Sequence, residues 1–302
     1  MIMQFERIYL RTFDKLKRNT FTIQEFAKIN DLSLQSSKVI LHRMKGNYQV
    51  LKVARGKYIA IAPENWIVLE GLKKKPKLYK LATTIYEMFP TLASLLLYGS
   101  QIRDGADKYS DYDVLVIVEK PAENKIAIKK EIEKKLRIKL HLTIYSEQAF
   151  QVFSLSEPYL KFWFKEGILL DEKGIVMQLA KPIAKLGYYE NLQEAKVYLE
   201  MISLESKASK KAKYAFTALR ISLILEHALN LDYNYENVNK EINIYLGKSI
   251  KKIRGGIPLG KGELACLERL SNKAYRRVNN KLEEIGENES DIYWKKSKGK
   301  RL

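Results

Sequence analysis

The sequence contains one cysteine, Cys266, and three histidines, so two common ways of cross-linking a fold are absent. A single cysteine cannot form an internal disulfide, and His42, His141 and His227 lie too far apart for a zinc motif. No apolar run approaches the length of a membrane span, and the N-terminus lacks the apolar segment of a signal peptide. We therefore expect a cytoplasmic protein without a membrane partner.

Acidic side chains are scarce relative to basic ones. The 302 residues include 54 Lys and Arg against 35 Asp and Glu, which gives a formal net charge of +19. Such a surface attracts polyanions, so nucleic acids or phosphorylated ligands are expected partners. The alternative is the lysine-rich composition of a heat-adapted protein whose charges are simply solvated. The length is too great for one typical core, so we expect two or three domains.

The first 72 residues are predicted to form three helices followed by a β-hairpin. Thr22 and Ser33 are placed to cap the second and third helices, and Arg55-Gly56-Lys57 would form the hairpin tip. The predicted core face of the third helix consists of Leu34, Leu41 and Met44.

This order of elements resembles a winged helix-turn-helix domain, with the hairpin as the wing. The resemblance implies binding of duplex DNA through residues 35–57. Lysine and arginine would hold phosphates, while an amide can read base edges in the major groove. The candidate DNA-binding residues are Gln35, Ser36, Lys38, Arg43, Arg55 and Lys57. Winged helices also serve as protein-interaction modules, so that alternative stays open.

The charge run in EGLKKKPKLYK, interrupted by Pro76, predicts a linker that enters an amphipathic helix. A strand from Leu92 to Tyr98 then ends at Gly99-Ser100. Glycine lets the backbone come close to a ligand, and the serine hydroxyl with the following N–H groups can hold phosphate oxygens. The turn after the first strand is therefore a candidate phosphate site.

Two carboxylates, Asp111 and Asp113, open the second strand one residue apart. Because side chains alternate along a strand, both should point to the same side. Paired carboxylates repel each other unless a cation lies between them, and hard oxygen ligands favour Mg²⁺ shared with substrate phosphates. A phosphate-binding turn beside such a pair is typical of phosphoryl or nucleotidyl transfer.

Residues 78–175, with their Gly-Ser turn and Ser-Asp-Tyr-Asp strand start, resemble the DNA polymerase beta-like nucleotidyltransferase superfamily, and most closely its minimal prokaryotic members. The resemblance implies a nucleoside triphosphate substrate, with ATP the first expectation, and Mg²⁺ or Mn²⁺ as cofactor. The implied reaction moves a nucleoside monophosphate to a hydroxyl of a nucleic acid, protein or small molecule. The implied nucleotide-binding residues are Gly99, Ser100, Arg103 and Ser110. The implied metal-binding and catalytic residues are Asp111 and Asp113.

One departure from the family pattern concerns the third carboxylate, which usually lies on the next strand. His141 stands near that position, and the strand face that it shares contains no Asp or Glu. Neutral histidine can accept a proton, but it is a poor Mg²⁺ ligand. Two interpretations remain open. Either His141 is a catalytic residue of an active transferase, or the chain is a DNA-binding transcriptional regulator whose degenerate fold senses nucleotide.

From about residue 181 the sequence is helical and resembles HEPN helical bundles. Arg220 and His227 lie on one stripe of the middle helix, seven residues apart. In ribonuclease members of that family the histidine would act as acid and base and the arginine would stabilise phosphate charge. An ordinary packing or surface role is the alternative.

The predicted protein is therefore a multidomain α+β chain. A winged helix would occupy residues 1–72, a mixed nucleotidyltransferase sheet with flanking helices 73–180, and a helical bundle 181–302. RNA and protein stay open as acceptors, and so does a homodimer.

Overall fold

The computed structural model describes residues 2–16, 19–89, 91–103, 110–120, 124–175, 181 and 183–285. The chain divides into two compact units, residues 1–150 with 167–177 and residues 151–166 with 178–302. The first unit combines helices with two sheets, and the described part of the second is helical, so the predicted mixture of α and β structure is confirmed. No helix in the described ranges is long and apolar enough to cross a membrane.

The first unit begins with short helices around a small antiparallel sheet. Its elements are α1 (Ile2–Leu16), β1 (Phe21–Thr22), α2 (Ile23–Asn30), α3 (Leu34–Gly46), β2 (Val50–Ala54), β3 (Lys57–Ala60) and α4 (Pro63–Leu72). The strand order is β1-β3-β2. The predicted three helices and hairpin are present, and β1 and α4 are additions that the sequence pattern did not indicate.

The starts of α2 and α3 follow from their caps. The Thr22 hydroxyl accepts from the Glu25 N–H at 3.2 Å, and the Glu25 carboxylate accepts from the Thr22 N–H at 2.7 Å, which is a capping box. The Ser33 hydroxyl accepts from the Ser36 N–H at 3.0 Å. Both predicted caps are confirmed.

The core face of α3 is only partly as predicted. Leu41 and Met44 are buried, but Leu34 is 50% exposed. The buried position one turn before Leu41 is Ser37, whose hydroxyl donates to the Ser33 carbonyl at 2.9 Å. The prediction for Leu34 was wrong because a small polar residue can occupy a core position when the helix backbone satisfies its hydroxyl.

A four-stranded mixed sheet follows. Its strands and helices are α5 (Pro76–Met88), β4 (Leu92–Tyr98), β5 (Tyr112–Val118), α6 (Lys125–Leu136), β6 (Leu140–Ser146) and β7 (Ile168–Asp171). Between β6 and β7 the chain forms α7 (Glu147–Ser156), which begins in the first unit, and α8 (Pro158–Glu166), which belongs to the second. The strand order is β6-β5-β4-β7, with β5 and β6 parallel and the other pairs antiparallel. The first predicted strand is confirmed, and β5 begins one residue after Asp111.

The predicted linker is wrong. Because α4 ends at Leu72 and α5 begins at Pro76, only a three-residue turn separates them. Apolar side chains of the hairpin and α4 are buried in the same core as α5 and the larger sheet; they are Tyr48, Leu51, Ile59, Ile61, Leu69 and Leu72. The domain boundaries at residues 72 and 180 stay predictions, since a shared core does not decide whether a segment can fold alone.

Glu172 ties α4 and α5 to the larger sheet. Its side chain is 2% exposed, and its carboxylate accepts from the Ala62 N–H at 3.0 Å, the Asn65 amide at 2.6 Å and the Tyr86 hydroxyl at 2.7 Å. The Glu172 N–H donates to the Ala93 carbonyl of β4 at 2.9 Å. A buried carboxylate is tolerable only when such donors replace water.

We expect Glu172→Ala to lower the free energy of unfolding by about 3–5 kcal/mol, because three buried donors lose their acceptor together. Urea denaturation followed by tryptophan fluorescence measures the change. Trp66 is a local reporter, since its indole N–H donates to the Ile61 carbonyl at 2.9 Å. Glu131→Ala on the exposed face of α6 is the matched control and should change stability by less than about 0.5 kcal/mol. Equal effects of the two substitutions would contradict this role of Glu172.

The second unit is built on long helices. They are α9 (Lys185–Leu204), α10 (Ala208–Leu229), α11 (Tyr235–Leu246), α12 (Ser249–Arg254) and α13 (Lys261–Glu284). The sequence predicts Phe216, Leu219, Leu223, Ile224 and Leu231 as core positions of the middle helix. Leu219, Leu223 and Ile224 are buried, and Phe216 is partly buried. Leu231 is 41% exposed, because α10 ends at Leu229 and Leu231 lies in the following turn with φ +59°. The predicted C-terminal helical region is confirmed, and its relation to HEPN bundles stays a prediction.

Candidate functional site

Three polar side chains form a row across the larger sheet. In the register of the strands, Tyr98 at the end of β4 pairs with Asp113 on β5, and Asp113 lies beside His141 on β6. Side chains at paired positions project from the same face of a sheet. The fold therefore brings the end of the first predicted strand, one predicted carboxylate and the predicted histidine together.

Gly99 is in contact with the carboxylate of Asp113. A Cβ atom at position 99 would lie 2.0 Å from the Asp113 Oδ2 atom, and the φ angle of Gly99 is +83°. Both the space and the backbone conformation exclude a side chain here. The glycine thus allows the turn after β4 to lie directly against Asp113.

The turn after Gly99 is closed by its own backbone. The N–H groups of Ile102 and Arg103 approach the Gly99 carbonyl at 3.2 and 3.5 Å. The Gln101 side-chain amide donates to the Ser110 carbonyl at 3.0 Å, which joins the turn to the segment that enters β5. The predicted nucleotide-binding residues therefore lie in one neighbourhood of the chain; they are Gly99, Ser100, Arg103 and Ser110. Residues 104–109 lie outside the described residues.

Asp111 precedes β5 and is exposed, whereas the Asp113 side chain is 25% exposed. The two carboxylates both act on His141, whose pKa each of them raises by its negative charge. Of the predicted acidic pair, Asp113 is in direct contact with His141, and the charge of Asp111 has a smaller effect on the pKa of that histidine.

The contact between His141 and Asp113 sets the state of the histidine. The His141 Nδ1 atom lies 3.1 Å from Asp113 Oδ1. Because an ionised carboxylate only accepts hydrogen bonds, Nδ1 carries the proton and Nε2 is the acceptor of the neutral ring. The bond to Asp113 is the largest cause of the raised pKa of His141, and burial partly opposes it.

This raised pKa has a definite consequence for stability. The folded state binds the His141 proton more tightly than the unfolded chain does, so the contact stabilises the fold below the pKa of an unfolded histidine, about 6.5. The contribution is lost as the pH rises through the raised pKa. Because the His141 side chain is 62% exposed, solvent screens the pair and weakens this contribution.

We predict that Asp113→Asn lowers the pKa of His141, because the substitution removes both the charge-assisted hydrogen bond and the negative charge. An NMR titration of the imidazole signals measures it. Asp111→Asn is the matched control: it removes one nearby charge but no hydrogen bond, so its decrease should be smaller. If the two substitutions lowered the pKa equally, the hydrogen bond would not be its main cause.

The carboxylates of Asp111 and Asp113 suit a divalent cation whose remaining ligands are phosphate oxygens and water. Asp111 and Asp113 offer hard carboxylate oxygens, but within the described ranges no group of three His, Cys, Asp or Glu side chains is arranged to hold a metal. Glu119 lies beyond the other end of β5 and is bonded to Lys173 at 2.5 Å. Mg²⁺ commonly takes one or two protein carboxylates and completes its shell with phosphates and water. The two aspartates fit that pattern and do not form an all-protein cage.

Two residues near the site were missed by sequence reasoning. The Lys75 ammonium donates to the Ile102 carbonyl at 3.1 Å, which puts a cation on the turn that follows Gly99. Tyr98 is 5% exposed, and its pKa is raised by burial and by the charge of Asp113. The charge run around Pro76 was a visible signal for Lys75, but only the fold shows which lysine reaches the turn.

Arg220 and His227, the second candidate pair, lie in the helical unit, and both side chains contact other side chains of that unit. His227 Nδ1 is 2.9 Å from Asp232 and Nε2 is 3.2 Å from Glu241. Arg220 donates to the Tyr235 hydroxyl and lies 5.2 Å from the centre of that ring. These contacts favour the packing interpretation of Arg220 and His227 over a nuclease role.

The predicted DNA-binding residues are exposed on the small N-terminal module. Four lie on α3 and two at the β2–β3 turn, where Gly56 has φ +73°. The residues are Gln35, Ser36, Lys38, Arg43, Arg55 and Lys57. Their exposure is compatible with DNA binding, which stays a prediction.

Comparison with known families agrees with the geometry of the larger sheet. Residues 78–173 match the family model described as a nucleotidyltransferase domain, a segment that runs from α5 to just past β7. The match covers roughly a third of the chain and supports the nucleotidyltransferase superfamily for this segment. No curated protein matches the chain.

Proposed function

We propose that this protein is a divalent-metal-dependent nucleotidyltransferase that moves a nucleoside monophosphate from a nucleoside triphosphate to an acceptor hydroxyl. The observation that carries the proposal is the contact of Gly99 with Asp113 beside His141, inside a segment that matches a nucleotidyltransferase family. The contact puts a turn suited to phosphate next to a carboxylate suited to a metal. Mg²⁺ or Mn²⁺ is the proposed metal and ATP the first proposed substrate.

In the proposed site, cationic and hydroxyl side chains bind phosphate, and carboxylates bind the metal. The Ser100 hydroxyl would bind phosphate oxygens, with Arg103 and Lys75 as nearby cations. Asp111 and Asp113 would hold the metal. When bound, the metal supplies charge neutralisation at the reacting phosphate. Ser110 is kept near the turn by the bond from Gln101 to its carbonyl.

His141 is the proposed proton acceptor. Its Nδ1–H is directed to Asp113, so Nε2 is the atom that can take the proton of the attacking hydroxyl. In the proposed reaction, the oxygen of the acceptor hydroxyl forms a bond to the α-phosphorus. The bond from that phosphorus to the oxygen that bridges the α- and β-phosphates breaks. Pyrophosphate leaves with the bonding electrons, and the proton passes to Nε2. The hydrogen bond to Asp113 raises the pKa of His141, and a more basic imidazole is better suited to accept this proton.

The test is incubation of the full chain with Mg²⁺ or Mn²⁺ and each α-labelled nucleoside triphosphate, alone and with tRNA, DNA or candidate proteins. We expect label from the α-position, and none from the γ-position, in a covalent product. Asp111→Ala and Asp113→Ala should each reduce transfer by about 100-fold or more, since each removes a metal ligand. Glu131→Ala is the control and should transfer normally. Undiminished transfer by Asp113→Ala would refute the proposed site.

A second candidate function has its own observation in favour. His141 occupies the place of the family's third carboxylate, and no described group of three acidic, histidine or cysteine side chains is arranged for a metal. We therefore keep the alternative of a DNA-binding regulator that senses nucleotide without catalysis. The same experiment separates them: nucleotide binding with no covalent product, together with a nucleotide-dependent change in duplex affinity, supports the regulator.

The N-terminal module is the proposed duplex DNA site in both cases. Its arrangement of three helices and an antiparallel hairpin supports a winged helix, with Lys38 and Arg43 on α3 and Arg55 and Lys57 at the tip. Cations on both the helix and the tip can neutralise phosphates on either side of a groove.

Replacing Lys38, Arg55 and Lys57 with glutamine should weaken duplex DNA binding and reduce the slope of log affinity against log salt by about 3, since each lost phosphate contact removes about 0.9. Fluorescence anisotropy at several salt concentrations measures both. A control with the same loss of charge replaces exposed lysines of α5 and α6; they are Lys80, Lys130 and Lys134. An equal change in the control would mean that net charge, and not this surface, binds DNA.

A further inference from the structure

The helical unit carries two segments in which every charged side chain is basic. The first runs through residues 207–213, KASKKAK, and the second through residues 248–261, KSIKKIRGGIPLGK. Neither segment contains an aspartate or a glutamate. We call the cations of both segments the α10–α12 basic surface; its members are Lys207, Lys210, Lys211, Lys213, Lys248, Lys251, Lys252, Arg254 and Lys261.

The fold brings these segments together. Helix α12 packs against α10, and the Lys213 ammonium lies 3.9 Å from the position that a Cβ atom of Gly256 would take. Gly256 has φ +71° and ends the turn that follows α12. A cation of α10 therefore lies beside the backbone turn that follows the basic face of α12, although the two are over forty residues apart in sequence.

Two lysines of this surface pair with carboxylates, and three exposed lysines in the described part of the chain do not. Lys210 pairs with Glu205 at 3.4 Å and Lys252 with Glu263 at 3.0 Å. For the described part of the chain, no carboxylate lies within 4.0 Å of the ammonium groups of Lys213, Lys248 or Lys251, and all three residues are exposed. Removing three such charges from water-exposed positions has no packing consequence, so they can be tested without unfolding the bundle.

The position of the lysines on α10 is electrostatically unfavourable to the helix itself. Lys210 and Lys211 occupy its first turns, where the macrodipole already presents positive charge. Glu226, Asp232 and Glu241 form an acidic cluster near the other end of α10, whereas Glu205 and Glu263 pair with Lys210 and Lys252. From Lys210 to Glu226 the helix rises about 24 Å, which is well beyond the Debye length of about 8 Å at physiological salt. The two charge clusters therefore do not neutralise each other.

We propose that the α10–α12 basic surface binds a helical nucleic acid through its phosphate backbone, independently of the N-terminal module. Exposed cations gathered from two helices provide several phosphate contacts at once. Most of them are lysines, which act as point charges toward phosphate and do not read base edges as a planar guanidinium or an amide does. Binding is therefore insensitive to base sequence.

The residue composition of the α10–α12 basic surface favours a double helix over a single strand or a membrane. Neither segment contains an aromatic residue, so the bases of a single strand have nothing on which to stack, and a double helix is the better fit. Ile257, 55% exposed, is the one large apolar side chain that the two described segments expose. One such residue is too little for insertion into a bilayer, which needs a continuous apolar face.

The experiment compares two triple variants of the full chain. The first replaces Lys213, Lys248 and Lys251 with glutamine. The second, matched in charge and in unit, replaces three exposed lysines of other helices: Lys196, Lys240 and Lys273. Binding of a labelled 24-base-pair double-stranded RNA and of a DNA duplex of arbitrary sequence is followed by fluorescence anisotropy between 50 and 300 mM salt, with a single-stranded RNA and anionic vesicles as further probes.

For the surface variant we expect about tenfold weaker duplex binding at 150 mM salt and a salt slope smaller by about 2–3. The control should remain within about threefold of the unaltered chain, and replacing the same three lysines with arginine should preserve binding. Equal losses in the two glutamine variants, or binding to vesicles or single strands alone, would overturn the proposal. Nucleotidyl transfer is not measured, so this test and that of the proposed enzyme can fail separately.

Discussion

The absence of a side chain at position 99 is the constraint on which the candidate site depends. Asp113 Oδ2 occupies the space that a Cβ atom of residue 99 would need, and the left-handed backbone there directs the turn back toward β5. Any other residue would separate the turn from the carboxylate or distort both. The contact is local, but it joins the two features that nucleotide chemistry requires, a backbone suited to phosphate and an oxygen suited to a cation.

The larger sheet is held from the opposite side by contacts with the N-terminal module. Glu172 accepts from α4 and α5 while its own N–H is bonded to β4, and the apolar side chains of the hairpin are buried in the same core. Strand β4 therefore has Glu172 near its start and Gly99 directly after its end. The same strand therefore accepts the hydrogen bond from Glu172 and leads directly into the turn that contacts Asp113.

Sequence reasoning was reliable where the pattern was local. The caps at Thr22 and Ser33, the strand from Leu92 to Tyr98 and the long helices follow from residue spacing, hydrogen-bonding side chains and apolar periodicity. It failed where burial depends on tertiary neighbours, as for Leu34, which is exposed while Ser37 is buried. It also failed for Lys75, because a run of lysines does not reveal which one lies against a turn that is distant in sequence. The identity of the metal, of the acceptor and of any DNA site depends on molecules outside the chain, so residue patterns within the chain cannot determine it.

His141 changes what the row of side chains across the larger sheet demands of its surroundings. Asp113 divides its two oxygens, one toward His141 and one against Gly99. A carboxylate at position 141 would place a second negative charge beside Asp113 Oδ1 with no proton between them, so the fold would need a cation there. Histidine instead brings its own proton, so the contact with Asp113 needs no cation between the two side chains.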